Sequence, residues 1–595
     1  MCGIIGILDQ HNNVSDRIVE ALAALEYRGY DSAGIATIHN GKFVTRKVVG
    51  RVQGLKELCD RDKVFGLTGI GHTRWATHGA PSIENTHPLI VLDVAVVHNG
   101  IIENYKEIRD YLQNIGQIFC SATDTEVISA LISHYITKGQ SKIDAIYAAI
   151  NQLRGVFSCV IMFVDDSRLL CGVQRGLSLV LGVKGACNYI ASDASAIAAY
   201  VDDVIYLEDN SLAIMKDTKY AITDLEGCEL IAKTSTIDKQ IIPSKAGYAT
   251  YMLKEINEQS KIIYDLFNAD YVATGINWDQ FDTLQIIACG SSLHAAQIAK
   301  YWIEGVARKK VDIEIASEFM LQTPLLNNRT VYVFISQSGE TADTLLVLKY
   351  AKRHKMATLG IVNVLESQIS RLVDHLVLLR AGKEIAVAST KTFTAQLAIL
   401  LLLTLEIAAY GNIDNAKNFY SADLSEIALI NTVLQLEQEV ILIAKKIAGA
   451  KKILYIGRGT SYPVALEGAL KMKELAYIPG EGHAAGELKH GPIALIDDRT
   501  PVIAIAPPGH TFVKMMSNIQ EVRARCGKIV LLTSEKEASQ LKGLYHELLL
   551  LPRVHELLTP IFYSIPLQML AYHTAVLSGL DVDKPRNLAK SVTVE

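Results

Sequence analysis

Cys2 is the residue of this sequence with the clearest capacity for chemistry, because it directly follows Met1. If Met1 is removed, Cys2 carries both a thiol, which ordinarily titrates near ~8.5, and an α-amine, which ordinarily titrates near ~7.7–8.0. The amine can then accept the proton that the thiol loses when it attacks a carbonyl carbon. The competing interpretation is that Cys2 is only a small buried residue at the start of an apolar strand over residues 3–8.

Three polar clusters follow Cys2 along the chain: residues 72–79 (HTRWATHG), 96–100 (VVHNG) and 121–126 (SATDTE). Each follows an apolar or glycine-rich stretch that could end a strand, and functional residues concentrate in the loops at strand ends. Each cluster alone also has an ordinary interpretation. Arg74 could form a surface ion pair, Asn99 and Gly100 could form a hairpin turn, and Asp124 could cap a helix.

Together, Cys2 and these clusters resemble the glutaminase domain of class II glutamine amidotransferases. The resemblance lies in residues 2–4 (CGI), 28–34 (RGYDSAG), 74–79 (RWATHG) and 98–100 (HNG). It implies a four-layer αββα sandwich with Cys2 as an N-terminal nucleophile, and an oxyanion stabilised by Asn99 and Gly100. Arg74 would bind the α-carboxylate of glutamine, because a guanidinium group suits a carboxylate. The implied glutamine-binding residues are Arg74, Trp75, Thr77, His78 and Asp124, with Asp124 on the α-ammonium group.

The segments around these clusters predict a mixed α and β domain over residues 2–235. Short β-branched runs alternate with amphipathic segments. The runs are residues 35–38, 44–49 and 94–97, and the amphipathic segments are residues 127–136 and 143–153. A polar stretch with Pro243, Ser244 and Gly247 follows, and it predicts a linker over residues 236–250 before a helix that starts near Tyr251.

The second half of the chain repeats one pattern, in which an apolar strand runs into a polar turn and then a helix. Strands 284–288 and 454–456 run into residues 289–296 (CGSSLHAA) and 457–462 (GRGTSY); strands 331–335 and 502–505 run into residues 336–341 (SQSGET) and 506–509 (APPG). Buried strands that alternate with helices indicate parallel sheets. We therefore expect two tandem α/β copies, over residues 251–440 and 441–580.

The first copy has the side chains to hold a phosphate group. Backbone N–H groups at a helix start favour an anion, and four hydroxyls and one amide accompany them. These side chains belong to Ser292, Ser336, Gln337, Ser338 and Thr341. No lysine follows the glycine, so the turn is not a nucleotide P-loop. The competing interpretation is that these hydroxyls only cap helices, and the second copy lacks them.

These turns resemble the sugar isomerase domains that bind phosphosugars, and nearly the whole chain resembles the glutamine–fructose-6-phosphate aminotransferase family. Further matching motifs are residues 387–391 (VASTK), 486–492 (GELKHGP) and 581–595. One departure is Ser291, where the family more often has threonine; Leu293 stands in place of an aromatic residue. The resemblance adds Ser291, Val387 and Ser389 to the sugar phosphate site. It implies the substrates glutamine and fructose 6-phosphate, the product glucosamine 6-phosphate for amino sugar biosynthesis, and no cofactor.

By the same resemblance, four residues carry the sugar chemistry. His490 would open the ketose ring, and Lys590 would form an imine with the C2 carbonyl. Lys471 and Glu474 lie three residues apart in a helical pattern over residues 466–477, so they share a face of that helix. Glu474 would move a proton from C1 to C2 of the sugar, and Lys471 would transfer a proton at a sugar oxygen. The competing interpretation of Lys471 and Glu474 is an exposed ion pair within one helix. The competing interpretation of Lys590 is a solvated residue of the C-terminal tail.

Composition excludes several classes of protein. The 595 residues have a net charge of −5, from 58 basic and 63 acidic residues, which gives no nucleic-acid footprint. The N-terminus lacks a secretory signal pattern, and the longest apolar run, residues 397–405, is too short to span a membrane and predicts a buried helix. The nine cysteines form no close pairs, so we expect neither a zinc site nor disulfides, and a cytoplasmic protein.

Ammonia freed from glutamine must reach the sugar without being protonated in water. We therefore expect a closed passage between the two sites, with Trp75 as its gate. The family also implies a homodimer, in which a neighbouring subunit could supply His490, and a C-terminal tail, residues 581–595, that completes the sugar site. The alternatives left open are another class II amidotransferase and a non-catalytic phosphosugar sensor.

Overall fold

The computed structural model describes residues 2–237, 244–269, 273–322, 324–411 and 424–592. The chain divides into two compact units at residues 241 and 242, and the second unit ends at Lys590, while Ser591 and Val592 group with the first. Part of the predicted linker, residues 238–243, lies outside the described residues. Thr236, the first residue of the predicted linker, is among the described residues and ends the strand Thr234–Thr236 of the first unit. The sheet therefore extends to the predicted domain boundary.

The first unit contains two antiparallel sheets. Its strands are β1 Gly3–Asp9, β2 Ser32–His39, β3 Lys42–Val49, β4 Thr68–Arg74, β5 Leu89–Val91, β6 Val94–Gly100, β7 Phe157–Phe163, β8 Asp166–Arg175, β9 Val180–Lys184, β10 Cys187–Ala191, β11 Asp203–Tyr206, β12 Ser211–Lys216, β13 Lys219–Asp224 and β14 Thr234–Thr236. The strand orders are β14-β11-β9-β10-β1-β4-β2-β3 and β13-β12-β8-β7-β6-β5.

Helices cover the outer face of each sheet. They are Ser15–Leu25, Val52–Arg61, Tyr105–Asn114, Glu126–Thr137 and Lys142–Ile150. Alternation along β1 shows how the layers form, because successive side chains of a strand point to opposite faces. Ile5 and Ile7 pack with the helix Ser15–Leu25, whereas Ile4 and Leu8 pack against the second sheet. The predicted αββα sandwich and its strands and helices are therefore confirmed.

The second unit contains two parallel sheets of five strands each. The strands are β15 Thr283–Ala288, β16 Lys310–Ile315, β17 Thr330–Ser336, β18 Ala357–Val362, β19 His375–Leu378, β20 Ile453–Gly457, β21 Gly480–Ala484, β22 Pro501–Ile505, β23 Lys528–Thr533 and β24 Glu547–Leu550. The orders β16-β15-β17-β18-β19 and β21-β20-β22-β23-β24 are equivalent. The repeat predicted from the sequence is therefore confirmed as two copies of one α/β fold.

Helices lie on both faces of each parallel sheet. They are Tyr251–Asn268, Gly290–Trp302, Ala316–Phe319, Ala342–Arg353, Gln368–Leu372, Lys391–Tyr410, Leu424–Ile427, Ile430–Leu434, Glu437–Ile447, Ser461–Ala476, Phe512–Arg523, Glu535–Gln540 and Thr559–Leu577. The inner faces of both sheets pack into one continuous apolar core with the long helices. Each outer face has a smaller core of its own, so each copy has the predicted αβα layers.

The helix Lys391–Tyr410 is long and apolar enough to cross a membrane, but 89% of its apolar window is buried inside the protein. The central helix of a folded domain has the same composition, because both of its faces contact other elements. This confirms the buried helix predicted over residues 397–405.

The C-terminal tail is packed, and Asp583 fixes it to the start of the helix Tyr251–Asn268. Its carboxylate accepts hydrogen bonds from the backbone N–H groups of Tyr251, at 3.0 Å, and Met252, at 2.9 Å. Its backbone carbonyl accepts a third from the N–H of Val387, at 3.0 Å. The first N–H groups of a helix have no partner within the helix, and the helix dipole favours a negative charge there.

Asp583→Ala is therefore expected to lower the free energy of unfolding of the second unit by about 1–2 kcal/mol, the usual cost of a lost N-terminal cap. Urea unfolding followed by the fluorescence of Trp278 and Trp302, which are buried in this unit, measures the change. Asp498→Ala is the matched control, because the side chain of Asp498 is 78% exposed. Equal midpoints for the two variants would contradict the capping role.

Candidate active sites

Cys2 lies where two central strands of the first unit end side by side. The N–H of Gly3, at the start of β1, donates to Thr73 Oγ1 of β4 at 3.1 Å. The Cys2 Sγ accepts a hydrogen bond from the N–H of Trp75, just after β4, at 3.1 Å. Burial raises the pKa of the Cys2 thiol, so the group is a thiol at neutral pH. Its attack on a carbonyl therefore requires a proton acceptor.

Asn99 and Gly100 lie beside Cys2 at the end of β6. The Asn99 Nδ2 donates to the backbone oxygen of Cys2 at 3.0 Å. Gly100 has φ +108°, and a Cβ there would lie 2.2 Å from the carbonyl oxygen of Val156, so only glycine fits. Both residues pair with β7. They are therefore the end of a strand, and the interpretation as a hairpin turn is wrong.

Arg74 and Asp124 are buried close to Cys2. Arg74 is 3% exposed, and its Nη2 donates to the carbonyl oxygens of His78 and Gly79, the latter at 2.9 Å. Burial lowers the pKa of Arg74, and the nearby carboxylate of Asp124 opposes this change. The interpretation of Arg74 as part of a surface ion pair is therefore wrong.

The carboxylate of Asp124 accepts a hydrogen bond from the N–H of Ile102, at 2.8 Å. The cap position of the helix Glu126–Thr137 is Thr125. The interpretation of Asp124 as that helix's cap is therefore wrong as well. The structure brings Cys2, Arg74, Asn99 and Asp124 into one cluster.

The loop after Arg74 presents the other predicted glutamine-site residues. The half-buried ring of Trp75 meets the ring of Tyr30 edge to face, with centroids 6.0 Å apart. The ring of His78 meets that of Tyr105 at 5.1 Å. Thr77 is exposed. The N–H of Ala76 donates to Asp31 Oδ2 at 2.9 Å, which fixes the start of this loop.

Sequence reasoning missed a buried histidine cluster next to these residues. His98 Nδ1 and His87 Nε2 lie 2.9 and 3.0 Å from Thr125 Oγ1, and His72 Nε2 lies 2.9 Å from the carbonyl oxygen of His98. Burial lowers the pKa of all three histidines, that of His72 to about 3. They are therefore neutral, and they form a polar core between Asn99 and Asp124.

The predicted phosphate turns lie at the strand-order reversal of the first parallel sheet, after β15 and β17. Ligands of such sheets bind at this crevice. Ser336 Oγ accepts a hydrogen bond from the N–H of Gly339, at 3.1 Å, and lies 2.9 Å from Thr341 Oγ1. Ser338 Oγ accepts one from the N–H of Glu340, at 3.2 Å. The two turns thus place Ser292, Ser336, Gln337, Ser338 and Thr341 at one edge of the sheet.

Three more of the predicted sugar phosphate residues contact side chains of the protein itself. Ser291 Oγ donates to Glu467 Oε1 at 2.8 Å, and Ser292 Oγ accepts from Gln396 Nε2 at 2.9 Å. Ser389 Oγ lies 2.7 Å from Thr392 Oγ1. Ser291 therefore links the first turn to the helix Ser461–Ala476.

Lys471 is buried among carboxylates on that helix. Its side chain is 1% exposed, and its Nζ lies 2.5 Å from Glu474 Oε2 and 3.4 Å from Glu467 Oε1. Burial disfavours the ammonium form, but the charges of Glu474 and Glu467 outweigh burial and raise the pKa of Lys471. The interpretation of Lys471 and Glu474 as an exposed ion pair is therefore wrong.

Glu467 is a residue that sequence reasoning missed, although its spacing of four from Lys471 could have indicated it. It is 2% exposed and also accepts from His294 Nδ1 at 2.7 Å. Burial raises its pKa, but the charge of Lys471 and the hydrogen bonds from His294 and Ser291 outweigh burial and lower it. Glu467 is thus ionised and joins the two copies of the repeat.

Lys590 is also buried, and its Nζ donates to Glu384 Oε2. The tail before it is fixed by the N–H of Arg586, which donates to the hydroxyl of Tyr477 at 2.6 Å, and by the Arg586 guanidinium over the Tyr477 ring at 4.3 Å. The interpretation of Lys590 as a solvated residue is therefore wrong. Val387 lies at the tail as well, through its N–H bond to Asp583.

Within one chain, the predicted catalytic residue His490 lies apart from the other predicted residues of the sugar site. It ends the short turn Ala485–His490 and is exposed. Within the parts of the chain that the structure describes, its side chain makes no hydrogen bond or ion pair with Lys471, Glu474 or Lys590.

Glu467→Ala is expected to destabilise the second unit by roughly 3 kcal/mol, because it removes one of the two carboxylates around the buried Lys471 and the carboxylate that contacts His294. Urea unfolding monitored by the two buried tryptophans measures the change. Glu481→Ala is the control, because the side chain of Glu481 is 54% exposed. This substitution should lower the free energy of unfolding by less than about 0.5 kcal/mol. A loss no larger than that of the control would mean that Glu467 is not needed to hold the buried charges.

Comparisons with known proteins agree with this division of the chain. Residues 280–406 and 446–578 match the model of the SIS domain, and residues 72–199 match that of a glutamine amidotransferase domain. A solved structure titled as the C-terminal domain of glucosamine-fructose-6-phosphate aminotransferase from Francisella tularensis is 38% identical, with a TM-score of 0.56. The match covers 58% of the present chain and 100% of the Francisella tularensis chain.

Full-length relatives cover both units. The chain is 44% identical, over 610 and 609 residues and 100% of each chain, to the proteins named glutamine–fructose-6-phosphate aminotransferase (isomerizing) in Brucella abortus biovar 1 (strain 9-941) and Mesorhizobium japonicum (strain LMG 29417 / CECT 9101 / MAFF 303099). This identity over the whole length, together with the matches to a glutamine amidotransferase domain and to two SIS domains, places the chain in the glutamine–fructose-6-phosphate aminotransferase (isomerizing) family.

Proposed function

We propose that this chain transfers the amide nitrogen of glutamine to fructose 6-phosphate and isomerises the product, giving glucosamine 6-phosphate and glutamate. The observation that carries the proposal is the identity of 44% over the full length of relatives named for this reaction. The geometry of both units supports it, because each unit gathers predicted residues for one half of the reaction, with His490 the exception in the second unit. The first unit would release ammonia, and the second would use it.

In the glutaminase half, the Cys2 sulfur attacks the amide carbon of glutamine once Met1 has been removed. The α-amine of Cys2 accepts the thiol proton, which suits a thiol whose pKa is raised by burial. The Asn99 Nδ2 and the Gly100 N–H stabilise the oxyanion. Ammonia leaves, and water then cleaves the thioester to give glutamate.

The remaining residues of this site hold the substrate. Arg74 binds the α-carboxylate and Asp124 the α-ammonium group, and both are buried where their charges act strongly. Trp75, Thr77 and His78 lie on the loop that closes over the substrate. The carbonyl groups of His78 and Gly79 already anchor this loop to Arg74.

In the sugar half, the turns after β15 and β17 hold the phosphate group, while Val387 and Ser389 contact the sugar. The Lys590 amine adds to the C2 carbonyl and water leaves, which gives an imine. Ammonia then adds to C2 and the Lys590 amine leaves, so that the nitrogen from glutamine remains on C2. Glu474 carries a proton from C1 to C2. Lys471, which is held as an ammonium ion by its carboxylates, donates a proton or hydrogen bond to a substrate oxygen.

His490 opens the sugar ring, and we infer that a neighbouring subunit of a homodimer supplies it. Its exposed position in one chain supports this.

The cytoplasm is the proposed location, because all nine cysteines are free thiols.

The direct test mixes the full chain with glutamine and fructose 6-phosphate and measures glutamate and glucosamine 6-phosphate, which should appear in equal amounts. Cys2→Ala should lower glutamine-dependent synthesis by about two orders of magnitude or more, because the nucleophile is lost. Synthesis from an ammonium salt should remain. Intact-mass measurement of the active protein should find Cys2 at the N-terminus.

Cys120→Ala is the control, because Cys120 is an exposed thiol of the same unit. Full glutamine-dependent synthesis by the Cys2→Ala variant would contradict the glutaminase mechanism. Retention of Met1, with no synthesis from either nitrogen source, would instead favour a phosphosugar sensor.

Trp75 is proposed to keep the released ammonia from escaping into water. Its backbone N–H contacts the Cys2 sulfur, and its ring lies at the start of the loop over the site. Trp75→Ala should leave glutamine hydrolysis within about twofold of normal, while glucosamine 6-phosphate formed per glutamate falls several-fold. Trp75→Phe keeps an aromatic ring and should stay nearer to one product per glutamate. A ratio of one for Trp75→Ala would rule out this role.

A further inference from the structure

Glu384 is a buried carboxylate that contacts the reactive nitrogen proposed at Lys590. The Glu384 side chain is 0% exposed and that of Lys590 is 5% exposed. The two residues are 206 positions apart in the sequence. A carboxylate in such an environment persists only when several donors satisfy its oxygens.

The protein provides these donors from the start of the helix Lys391–Tyr410. Glu384 Oε1 accepts from the backbone N–H groups of Thr390, at 3.0 Å, and Thr392, at 3.2 Å. Glu384 Oε2 accepts from the hydroxyl of Thr392, at 2.7 Å, as well as from Lys590. Burial raises the pKa of Glu384, but the charge of Lys590 and these hydrogen bonds outweigh it and lower the pKa. The carboxylate is thus ionised and fixed in place before any substrate binds.

A second carboxylate, Glu255, faces Glu384. It accepts from the backbone N–H groups of Ile385 and Ala386. Burial and the charge of Glu384 raise the pKa of Glu255 to about 8. The neighbouring charges on the packed elements are Lys590 on the tail, Lys391 on the long helix, and Glu258 and Lys254 on the helix Tyr251–Asn268.

We propose that Glu384 orients Lys590 and accepts the proton that its ammonium group must lose before the amine can attack the sugar carbonyl. This inference rests on the proposed function. The Nζ–H proton moves to Glu384 Oε2, the Nζ lone pair forms the bond to C2, and the C2 oxygen leaves as water after it has gained two protons. One of these protons returns from Glu384, and the other comes from the amine that has added.

This arrangement differs from a helix cap that merely happens to lie near a lysine. For a cap, the backbone donors of Thr390 and Thr392 would suffice. Here the oxygen that accepts from the Thr392 hydroxyl also accepts from Lys590. The proton in the hydrogen bond from Lys590 Nζ to Glu384 Oε2 can therefore move from the amine to the carboxylate without exchange with water.

The experiment uses the full chain with fructose 6-phosphate alone, and sodium borohydride to reduce any imine to a stable secondary amine. Peptide mass mapping then locates the added sugar, which is expected on Lys590. Glu384→Gln keeps the size and the hydrogen-bonding shape but cannot accept the proton. It should lower the trapping rate at neutral pH by about 100-fold, and the rate should then rise with pH, because the lysine must lose its proton to solvent.

Two further variants separate proton transfer from structural support. Glu384→Asp keeps a carboxylate and should recover part of the rate at neutral pH. Glu258→Gln is the matched control, because Glu258 pairs with Lys391 at 2.8 Å and Lys254 at 3.1 Å on the same side of the core. It should trap at the normal rate. The fluorescence of Trp278 and Trp302 checks that each variant keeps its fold.

A Glu384→Gln variant that is folded and traps the sugar at the normal rate would overturn the inference. An equal loss at every pH, with no recovery in Glu384→Asp, would also overturn it, since that is the result of structural support alone. Normal synthesis of glucosamine 6-phosphate with no sugar on Lys590 would refute this inference while leaving the proposed function in place.

Discussion

The cost of burying charge shapes the second unit more than any other constraint. An ammonium or carboxylate group taken out of water costs several kcal/mol unless partners surround it. Lys471 and Lys590 are both nearly fully buried, and each forms an ion pair with a carboxylate that is itself buried, Glu467 and Glu384 respectively. Glu467 joins the two sheet copies through Ser291 and His294, and Glu384 joins the tail to the longest buried helix. The same ion pairs therefore hold the fold together and fix the side chains that are proposed to react.

The first unit solves the placement of its site in a different way, through strand register. β1 and β4 lie side by side at the centre of one sheet, and their pairing fixes Gly3 opposite Thr73. Cys2 and Trp75 are the residues just beyond these ends, so a change in register by one residue would move the sulfur away from its backbone donor. Asn99 and Gly100 end the facing strand β6 in the second sheet. The sandwich thus brings together residues that are 97 positions apart.

The sequence predicted these elements well where local patterns determine them. The apolar run of β1, the strand and turn repeat of the second half and the apolar run within Lys391–Tyr410 could all be recognised from the sequence pattern alone. The partners of the buried groups were harder to predict. Glu384 and Lys590 are 206 residues apart, and no periodicity connects them. His87 joins a histidine cluster only because two sheets face each other. Glu467 lies four residues from Lys471 on one helix face and could have been found from sequence.

The surroundings of the two lysines argue for different chemistry at each. Lys471 contacts two carboxylates, and their combined charge keeps it an ammonium ion. Such a group suits donation to an oxygen and is a poor nucleophile. Lys590 shares its single carboxylate with two backbone N–H groups and a hydroxyl, which already satisfy much of the negative charge. Glu255 adds a nearby group whose pKa of about 8 lets it gain or lose a proton near neutral pH. The proposed proton transfer from Lys590 to Glu384 therefore goes with the imine proposed at the tail, whereas Lys471 suits hydrogen-bond donation to the substrate.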